Sequence, residues 1–88
     1  MSTNKAEVMQ TLVGMITEVL GDEDLGIEAG TGFRDGLAFK SIEFVALAEL
    51  IQDRWVDINF VAWLTGKPMP EILELKVGDV ADFIVSSS

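Results

Sequence analysis

The chain has 88 residues, 49% of them hydrophobic, and its 15 acidic and 6 basic side chains give a formal net charge of −9. This length makes one small domain, and the apolar content is too high for a disordered acidic tail. The absence of Cys and His excludes disulfides, thiol nucleophiles, Ser-His catalysis and the usual zinc ligands. The acidity disfavours nucleic acid and anionic lipid, which require neutralisation by Lys and Arg, and favours basic protein partners.

No apolar run approaches the length of a membrane span, and no basic start precedes an apolar signal segment. We therefore expect a soluble, cytoplasmic, monomeric protein without a membrane partner. Because the chain starts at Met1 and has no flanking linker, we also expect a discrete protein. Its single domain is predicted to span residues 1–88, with disorder at 1–4 and 86–88.

The first predicted helix begins after Asn4, a good N-cap, and Glu7 three places later completes a capping-box pattern. Gly21 is expected to end this helix, whereas Gly14 within it either weakens it slightly or lets another element pack closely. The apolar residues between them recur at helical spacing: Met9, Leu12, Val13, Ile16, Val19 and Leu20.

A long loop is predicted over residues 21–40, which contain five glycines and no proline. Its apolar residues are expected to hold it on the helices: Leu25, Ile27, Phe33, Leu37 and Phe39. Its acidic residues lack the spacing of a calcium loop, so no metal site is predicted: Asp22, Glu23, Asp24 and Glu28.

The second predicted helix runs from Ser41 to about Trp55, and its apolar face comprises Phe44, Leu47, Ala48, Ile51 and Trp55. Asn59 is expected to cap a brief helix over 60–64 that ends at Gly66. Pro70 suits the first position of another short helix over 71–74. The last helix carries Val77, Val80, Ala81 and Ile84 on one face. The predicted fold class is all-α, with three principal helices and one or two short ones.

Two tryptophans, Trp55 and Trp63, fall at helical positions, where such aromatic residues are more often part of a core than of a ligand pocket.

The residue types at the start of the second helix are unusual for a helix N-terminus. Lys40 is a poor cap, and it places a cation where the helix dipole favours an anion. Ser41 then has two interpretations: a simple helix cap, or an exposed hydroxyl where a phosphodiester attaches beside free backbone N–H groups.

Residues 33–43 resemble the pantetheine-attachment segment of acyl carrier proteins. In that family, Phe, a short acidic stretch and Leu-Gly-x precede Asp-Ser-Leu, which opens the second helix. The matching residues at family spacing are Phe33, Asp35, Leu37 and Ser41. Residues 75–84 also resemble the family's last helix. The chain departs from the pattern at Ala38, Lys40 and Ile42, which stand where Gly, Asp and Leu are usual.

The resemblance implies an acyl-carrier-like helical bundle and a protein that is not itself an enzyme. A phosphopantetheinyl transferase would attach 4'-phosphopantetheine from coenzyme A to Ser41. The arm would carry acyl intermediates as thioesters in fatty-acid-like or polyketide-type biosynthesis.

The resemblance also implies docking of acyl-loading, condensing and acyl-transfer enzymes, whose basic patches would meet the second helix. The expected contact residues are Asp35, Lys40, Ile42, Glu43, Val45, Ala46, Glu49 and Asp53. From the charge pattern alone, the acidic members are simply a solvated helix face. Arg34 and Lys40 make the approach to Ser41 less acidic than is typical of the family, which favours a dedicated partner.

Two alternatives remain open. A peptidyl or aminoacyl carrier would share the fold and the modified Ser41. A small acidic helical adaptor would instead use Ser41 only as a cap and bind its partner through the second helix. An enzyme is the least favoured class, because no acid/base pair or nucleophile/base pair can be assembled from these residues.

Overall fold

The computed structural model of the chain describes residues 4–21 and 26–87. These residues contain five helices: α1 (Lys5–Leu20), α2 (Ser41–Arg54), α3 (Phe60–Thr65), α4 (Met69–Leu73) and α5 (Val77–Ser87). Within this part of the chain there is no β-strand, and Gly32 and Lys76 form an isolated antiparallel bridge. The predicted all-α class is confirmed.

Side-chain caps and one glycine set the helix ends largely as the sequence predicts. Asn4 Oδ1 accepts a hydrogen bond from the Glu7 N–H at 2.8 Å, so α1 begins at the next residue after Asn4. Gly21 closes α1 in the left-handed conformation, with φ 69°. At the start of α3, Asn59 Oδ1 accepts from the Ala62 N–H at 3.0 Å.

Several local details differ from the predictions. α4 starts at Met69, so Pro70 is its second residue, a position whose N–H has no partner within the helix in any case. Gly66 ends α3 with φ −75°, a right-handed conformation that does not require glycine. A Cβ at Gly14 would have no neighbour within 4 Å, so the prediction that another element packs closely there is wrong.

Ser86 and Ser87, predicted to be disordered, lie in the last turn of α5, and the predicted disorder remains a prediction. Residues 1–3 and 88, also predicted to be disordered, lie outside the described residues. The same holds for residues 22–25, which include one of the predicted loop contacts, Leu25.

The core forms where α1 packs against α5 and α2, while α2 also contacts α3. The apolar faces predicted from helical spacing supply most of it, and both tryptophans are half-buried against it. The buried side chains are Val8, Leu12, Ile16, Phe33, Leu37, Phe39, Leu47, Ala48, Ile51, Ile58, Phe60, Leu75, Val77, Val80, Ala81 and Ile84.

Aromatic packing ties the end of the loop to α2. The Phe33 ring lies 5.1 Å from that of Phe39 and 5.3 Å from that of Phe44, between ring centroids. Phe39 and Phe44 are themselves 5.1 Å apart, edge to face. Phe33 is fully buried, so the segment preceding α2 is part of the core.

Backbone hydrogen bonds tie the same loop to the start of α5. Two of them satisfy N–H groups that the first turn of α5 leaves without a partner. The bonds run from Phe33 N–H to Leu75 O (3.0 Å), from Val77 N–H to Thr31 O (2.9 Å) and from Gly78 N–H to Ala29 O (2.8 Å). The approach at Gly78 requires glycine, because a Cβ there would lie 2.8 Å from the Ala29 oxygen. The loop therefore packs against α5 and α2, and it ends immediately before Ser41.

Candidate attachment site at the start of the second helix

Ser41 is the first residue of α2, and its side chain is exposed. The N-cap position belongs to Lys40, whose φ of −105° and ψ of 169° are the extended values typical of that position. The interpretation of Ser41 as the cap of α2 is therefore wrong. No hydrogen bond joins its hydroxyl to any other described residue. The hydroxyl is consequently both accessible and unengaged.

Backbone N–H groups remain available beside this hydroxyl. The hydrogen bonds of α2 begin with the N–H groups of Glu43 and Phe44, which both donate to the Lys40 carbonyl oxygen, at 3.0 and 3.1 Å. Those of Ser41 and Ile42 have no acceptor among the described residues. Free amides at the positive end of a helix dipole are suited to an anionic group such as a phosphodiester.

Charged groups of opposite sign flank the hydroxyl. Glu43 Oε1 accepts a hydrogen bond from the Lys40 backbone N–H at 3.2 Å, which is half of a capping box. The other half does not form, since the Lys40 ammonium has no lone pair with which to accept from a helix amide. The prediction that Lys40 is a poor cap is thus confirmed, and its exposed side chain makes no cap hydrogen bond.

The turn into α2 depends on an unusual backbone conformation at Ala38. Its φ is 53°, and no other non-glycine residue in the described part of the chain has a positive φ. This conformation separates the buried side chains of Leu37 and Phe39 on either side of an exposed alanine. Left-handed backbone is unfavourable for an L-amino acid and free of that cost for glycine, the residue usual here in the carriers that the segment resembles.

The residues predicted to contact partners are divided between one face of α2 and the start of that helix. Ile42, Val45, Ala46, Glu49 and Asp53 occupy positions i, i+3, i+4, i+7 and i+11 of α2 and therefore share a face. Ile42 and Val45 are 75% and 59% exposed, and Glu49 and Asp53 are also exposed. Ala46 is half-buried, Glu43 lies with Lys40 at the start of α2, and Asp35 is exposed in the preceding turn.

A groove of about 620 Å³ runs between α2 and α3. Its lining is mainly apolar and includes two carboxylates: Phe44, Val45, Ala48, Glu49, Gln52, Asp53, Val61, Leu64 and Thr65. Val45 lies one helical turn after Ser41, so the groove begins close to the candidate attachment point. The contribution of α3 to this groove was not predicted, because helical spacing alone does not show that Val61 stays 48% exposed.

Neither tryptophan lines this groove. Trp63 stacks on Phe83, with ring centroids 4.4 Å apart, and Lys67 Nζ lies 4.5 Å from the centre of the Trp63 ring. Together they border a separate cleft of about 580 Å³, whose walls contain no residue of α2. The Trp55 ring lies 5.8 Å from the Arg54 guanidinium carbon. The two tryptophans therefore pack at the edge of the core, away from Ser41.

In residues 4–21 and 26–87, no group of three or more His, Cys, Asp or Glu side chains could hold a metal ion. The loop acids Asp22, Glu23 and Asp24 lie outside the described residues, so the structure does not address the calcium alternative at those positions. No helix in the described part of the chain combines the length and hydropathy that crossing a bilayer requires.

Comparisons of the chain with protein-family models, with curated proteins and with solved structures give no match. A functional hypothesis therefore depends on the residues around Ser41 and on their arrangement. That arrangement consists of an exposed hydroxyl, two free amides and an apolar groove on the same helix.

Proposed function

We propose that this chain is an acyl carrier protein that carries 4'-phosphopantetheine on Ser41. The observation that supports it most is the exposed Ser41 hydroxyl at the first position of α2, with no hydrogen-bond partner among the described residues. A buried hydroxyl would be closed to a modifying enzyme, and a capping hydroxyl would already be engaged. Ser41 has neither restriction.

The chemistry of attachment fits the groups at this site. The Ser41 oxygen attacks the phosphorus of coenzyme A that bears pantetheine, the bond between the two phosphates breaks, and adenosine 3',5'-bisphosphate leaves with the electron pair. The hydroxyl proton passes to a base of the phosphopantetheinyl transferase. The chain supplies the accepting oxygen, and the N–H groups of Ser41 and Ile42 lie where the phosphodiester forms. Catalysis belongs to the transferase, so the chain is a carrier and not an enzyme.

The groove between α2 and α3 supports acyl cargo. The terminal thiol of the arm supplies the thioester, and the apolar walls of Val45, Ala48 and Val61 begin one turn from its base. Burial of an acyl chain there would gain about 0.8 kcal/mol for each CH₂ group removed from water. This apolar lining favours acyl cargo over the aminoacyl or peptidyl alternative. An octanoyl thioester is therefore expected to raise the melting temperature more than a glycyl thioester on the same arm.

The exposed face of α2 supports docking of partner enzymes. It combines the apolar side chains of Ile42 and Val45 with the carboxylates of Glu49 and Asp53. Acidic groups around a small apolar contact suit partners with basic patches, because complementary charge accelerates encounters more than it tightens binding. Carriers must release each partner after transfer, so this balance suits the function.

The helical arrangement also supports an acyl-carrier-like bundle. Three longer helices, α1, α2 and α5, enclose the core, and α3 and α4 are short. Residues 26–40, the described part of the connection between α1 and α2, end at the proposed attachment point.

Intact-mass measurement tests this function. The protein is incubated with coenzyme A and a panel of phosphopantetheinyl transferases that includes a broad-specificity enzyme, since Lys40 is atypical beside the modified serine. The wild type and the control Ser86→Ala are expected to gain one phosphopantetheinyl group, and Ser41→Ala none. The acidic adaptor alternative requires that no transferase in the panel modifies the wild type. That result, or a gain that survives Ser41→Ala, would refute the proposal.

A further inference from the structure

The side chain of Lys40 is an unpaired cation next to the proposed attachment point of this acidic protein. It is exposed beside Ser41, makes no cap hydrogen bond, and has no carboxylate within 4.0 Å of its ammonium among the described residues. An ammonium at the positive end of a helix dipole is in an unfavourable place. With a formal net charge of −9, the chain has many carboxylates with which a cation could pair.

Among the other cations in the described part of the chain, Lys5, Arg54 and Lys67 have contacts. Among the same residues, the side chains of Arg34 and Lys76 have none with a carboxylate or an aromatic ring. Lys5 Nζ lies 3.0 Å from an Asp82 carboxylate oxygen, and Lys67 Nζ lies over the Trp63 ring. Lys40 has no comparable contact with either a carboxylate or an aromatic ring. The hydrogen bonds of Lys40 all involve its backbone N–H and carbonyl groups, which leaves the ammonium free.

We propose that the Lys40 ammonium pairs with the phosphodiester on Ser41 and holds the base of the arm at the start of α2. This inference rests on the proposed function. The two residues are adjacent and both exposed, and a phosphodiester is the strong anion that the unpaired ammonium lacks. Lys40 also offsets the Glu43 carboxylate, which would otherwise repel the incoming negative charge.

A thermodynamic consequence follows from this pairing. In the unmodified protein, Lys40 is an unfavourable charge at the helix start, whereas after modification it has a partner. Attachment of the arm is therefore expected to stabilise this protein through Lys40. In carriers with the usual Asp at this position, the same modification places two negative charges side by side. Lys40→Asp should accordingly lose the stabilisation.

The chain offers a matched control at Lys76. This residue precedes α5 as Lys40 precedes α2, and its backbone N–H donates to Asp79 Oδ2 at 3.0 Å as that of Lys40 does to Glu43. Its side chain is likewise exposed. Lys76→Gln thus removes the same charge from the start of a helix that carries no modified serine.

The experiment compares melting temperatures of the modified and unmodified forms of the wild type, Lys40→Gln, Lys40→Asp and Lys76→Gln. Intact mass first establishes the modification of each. Modification is expected to raise the melting temperature of the wild type by about 2–4 °C more than that of Lys40→Gln, a shift typical of one exposed charge pair in a small domain. Lys76→Gln should behave as the wild type does, and the difference should shrink between about 0.01 M and 1 M salt.

Two failures are distinguishable. If the proteins are modified but Lys40→Gln shifts as much as the wild type, the ion pair is refuted and the carrier function stands. If no protein gains the phosphopantetheinyl group, the proposed function fails, and the inference fails with it.

Discussion

Ala38 holds a left-handed backbone, with φ 53°, three residues before the proposed attachment point. This conformation costs an L-amino acid about 1–2 kcal/mol, and glycine avoids that cost but loses more entropy on folding. We expect Ala38→Gly to raise the free energy of unfolding by about 0.5–1 kcal/mol, the balance of these two effects. Urea denaturation followed by tryptophan fluorescence measures the change. A lower urea midpoint would show that the turn does not need a left-handed residue.

Ser41 and Ala38 illustrate what single residues reveal before a structure is known. Serine is common at helix caps, so the sequence left Ser41 with two interpretations. The structure excludes the cap because Lys40 occupies the N-cap position. Attachment to Ser41 remains a proposal. Alanine gives no signal of a positive φ, so this backbone conformation was not predicted. The residue types therefore did not predict the exposure of Ser41 or the backbone conformation of Ala38.

At the scale of the helices, two glycines are expected to respond oppositely to the same substitution. Gly14→Ala in α1 places a Cβ with nothing within 4 Å and should raise the free energy of unfolding by up to about 1 kcal/mol. Gly78→Ala in α5 places a Cβ 2.8 Å from the oxygen and 3.0 Å from the Cβ of Ala29. It should therefore lower that free energy by about 1–3 kcal/mol, as overpacking does.

Urea denaturation of both variants provides the measurement, and each serves as the control for the other. Gly78→Ala should also weaken the 2.8 Å hydrogen bond from its N–H to the Ala29 oxygen, which faster amide exchange at Gly78 would reveal. Stabilisation by Gly78→Ala would show that the loop does not lie against α5 as described.

The start of α2 gives a further prediction. Lys40→Asp replaces a cation by an anion at the positive helix end and adds an oxygen that can accept from the N–H of Ile42 or Glu43. In the unmodified protein it should raise the free energy of unfolding by about 1 kcal/mol. Lys40→Gln removes the charge without adding a good cap, so a smaller rise is expected. Thermal unfolding followed by circular dichroism measures both, and a fall for Lys40→Asp would contradict the assigned N-cap.

The helices were more predictable than the contacts between them. Leu12 and Ile16 repeat at helical spacing, and Asn4 and Asn59 cap where their side chains predict, since these signals are local. The pairing of the loop with α5 gave no such signal. This pairing uses backbone N–H and C=O groups, which nearly every residue has, so the residue types do not predict it. It becomes visible only in the structure, where Gly78 lies against Ala29.

At the scale of the whole molecule, charge repulsion is expected to limit stability. The chain has a formal net charge of −9, extends over 33 × 29 × 21 Å, and has one ion pair among its described residues, the exposed contact between Lys5 and Asp82. The Debye length of about 30 Å at 0.01 M salt spans the molecule, whereas about 8 Å at 0.15 M does not.

Added sodium chloride should therefore raise the melting temperature between about 0.01 M and 0.15 M, because screening removes more repulsion than attraction. Differential scanning calorimetry measures the shift, and an uncharged osmolyte at equal osmolality controls for preferential exclusion. A melting temperature that falls with salt would mean that attractive pairs outweigh the net charge.

The fold brings the parts of the proposed site together through the loop. Phe33 is buried, contacts the aromatic cluster with Phe39 and Phe44, and bonds to Leu75, so the segment leading to Ser41 is anchored to both α2 and α5. Ser41 itself remains exposed beside the groove between α2 and α3. A rigid support beneath an accessible hydroxyl suits a residue that is proposed to anchor a long flexible arm.

The most direct test of carrier function is the mass of the protein and of its peptides after incubation with coenzyme A and the transferase panel. The wild type is predicted to gain one phosphopantetheinyl group, and fragmentation should locate it on Ser41. An unchanged mass with every transferase, or a group located on any other residue, would contradict the assignment.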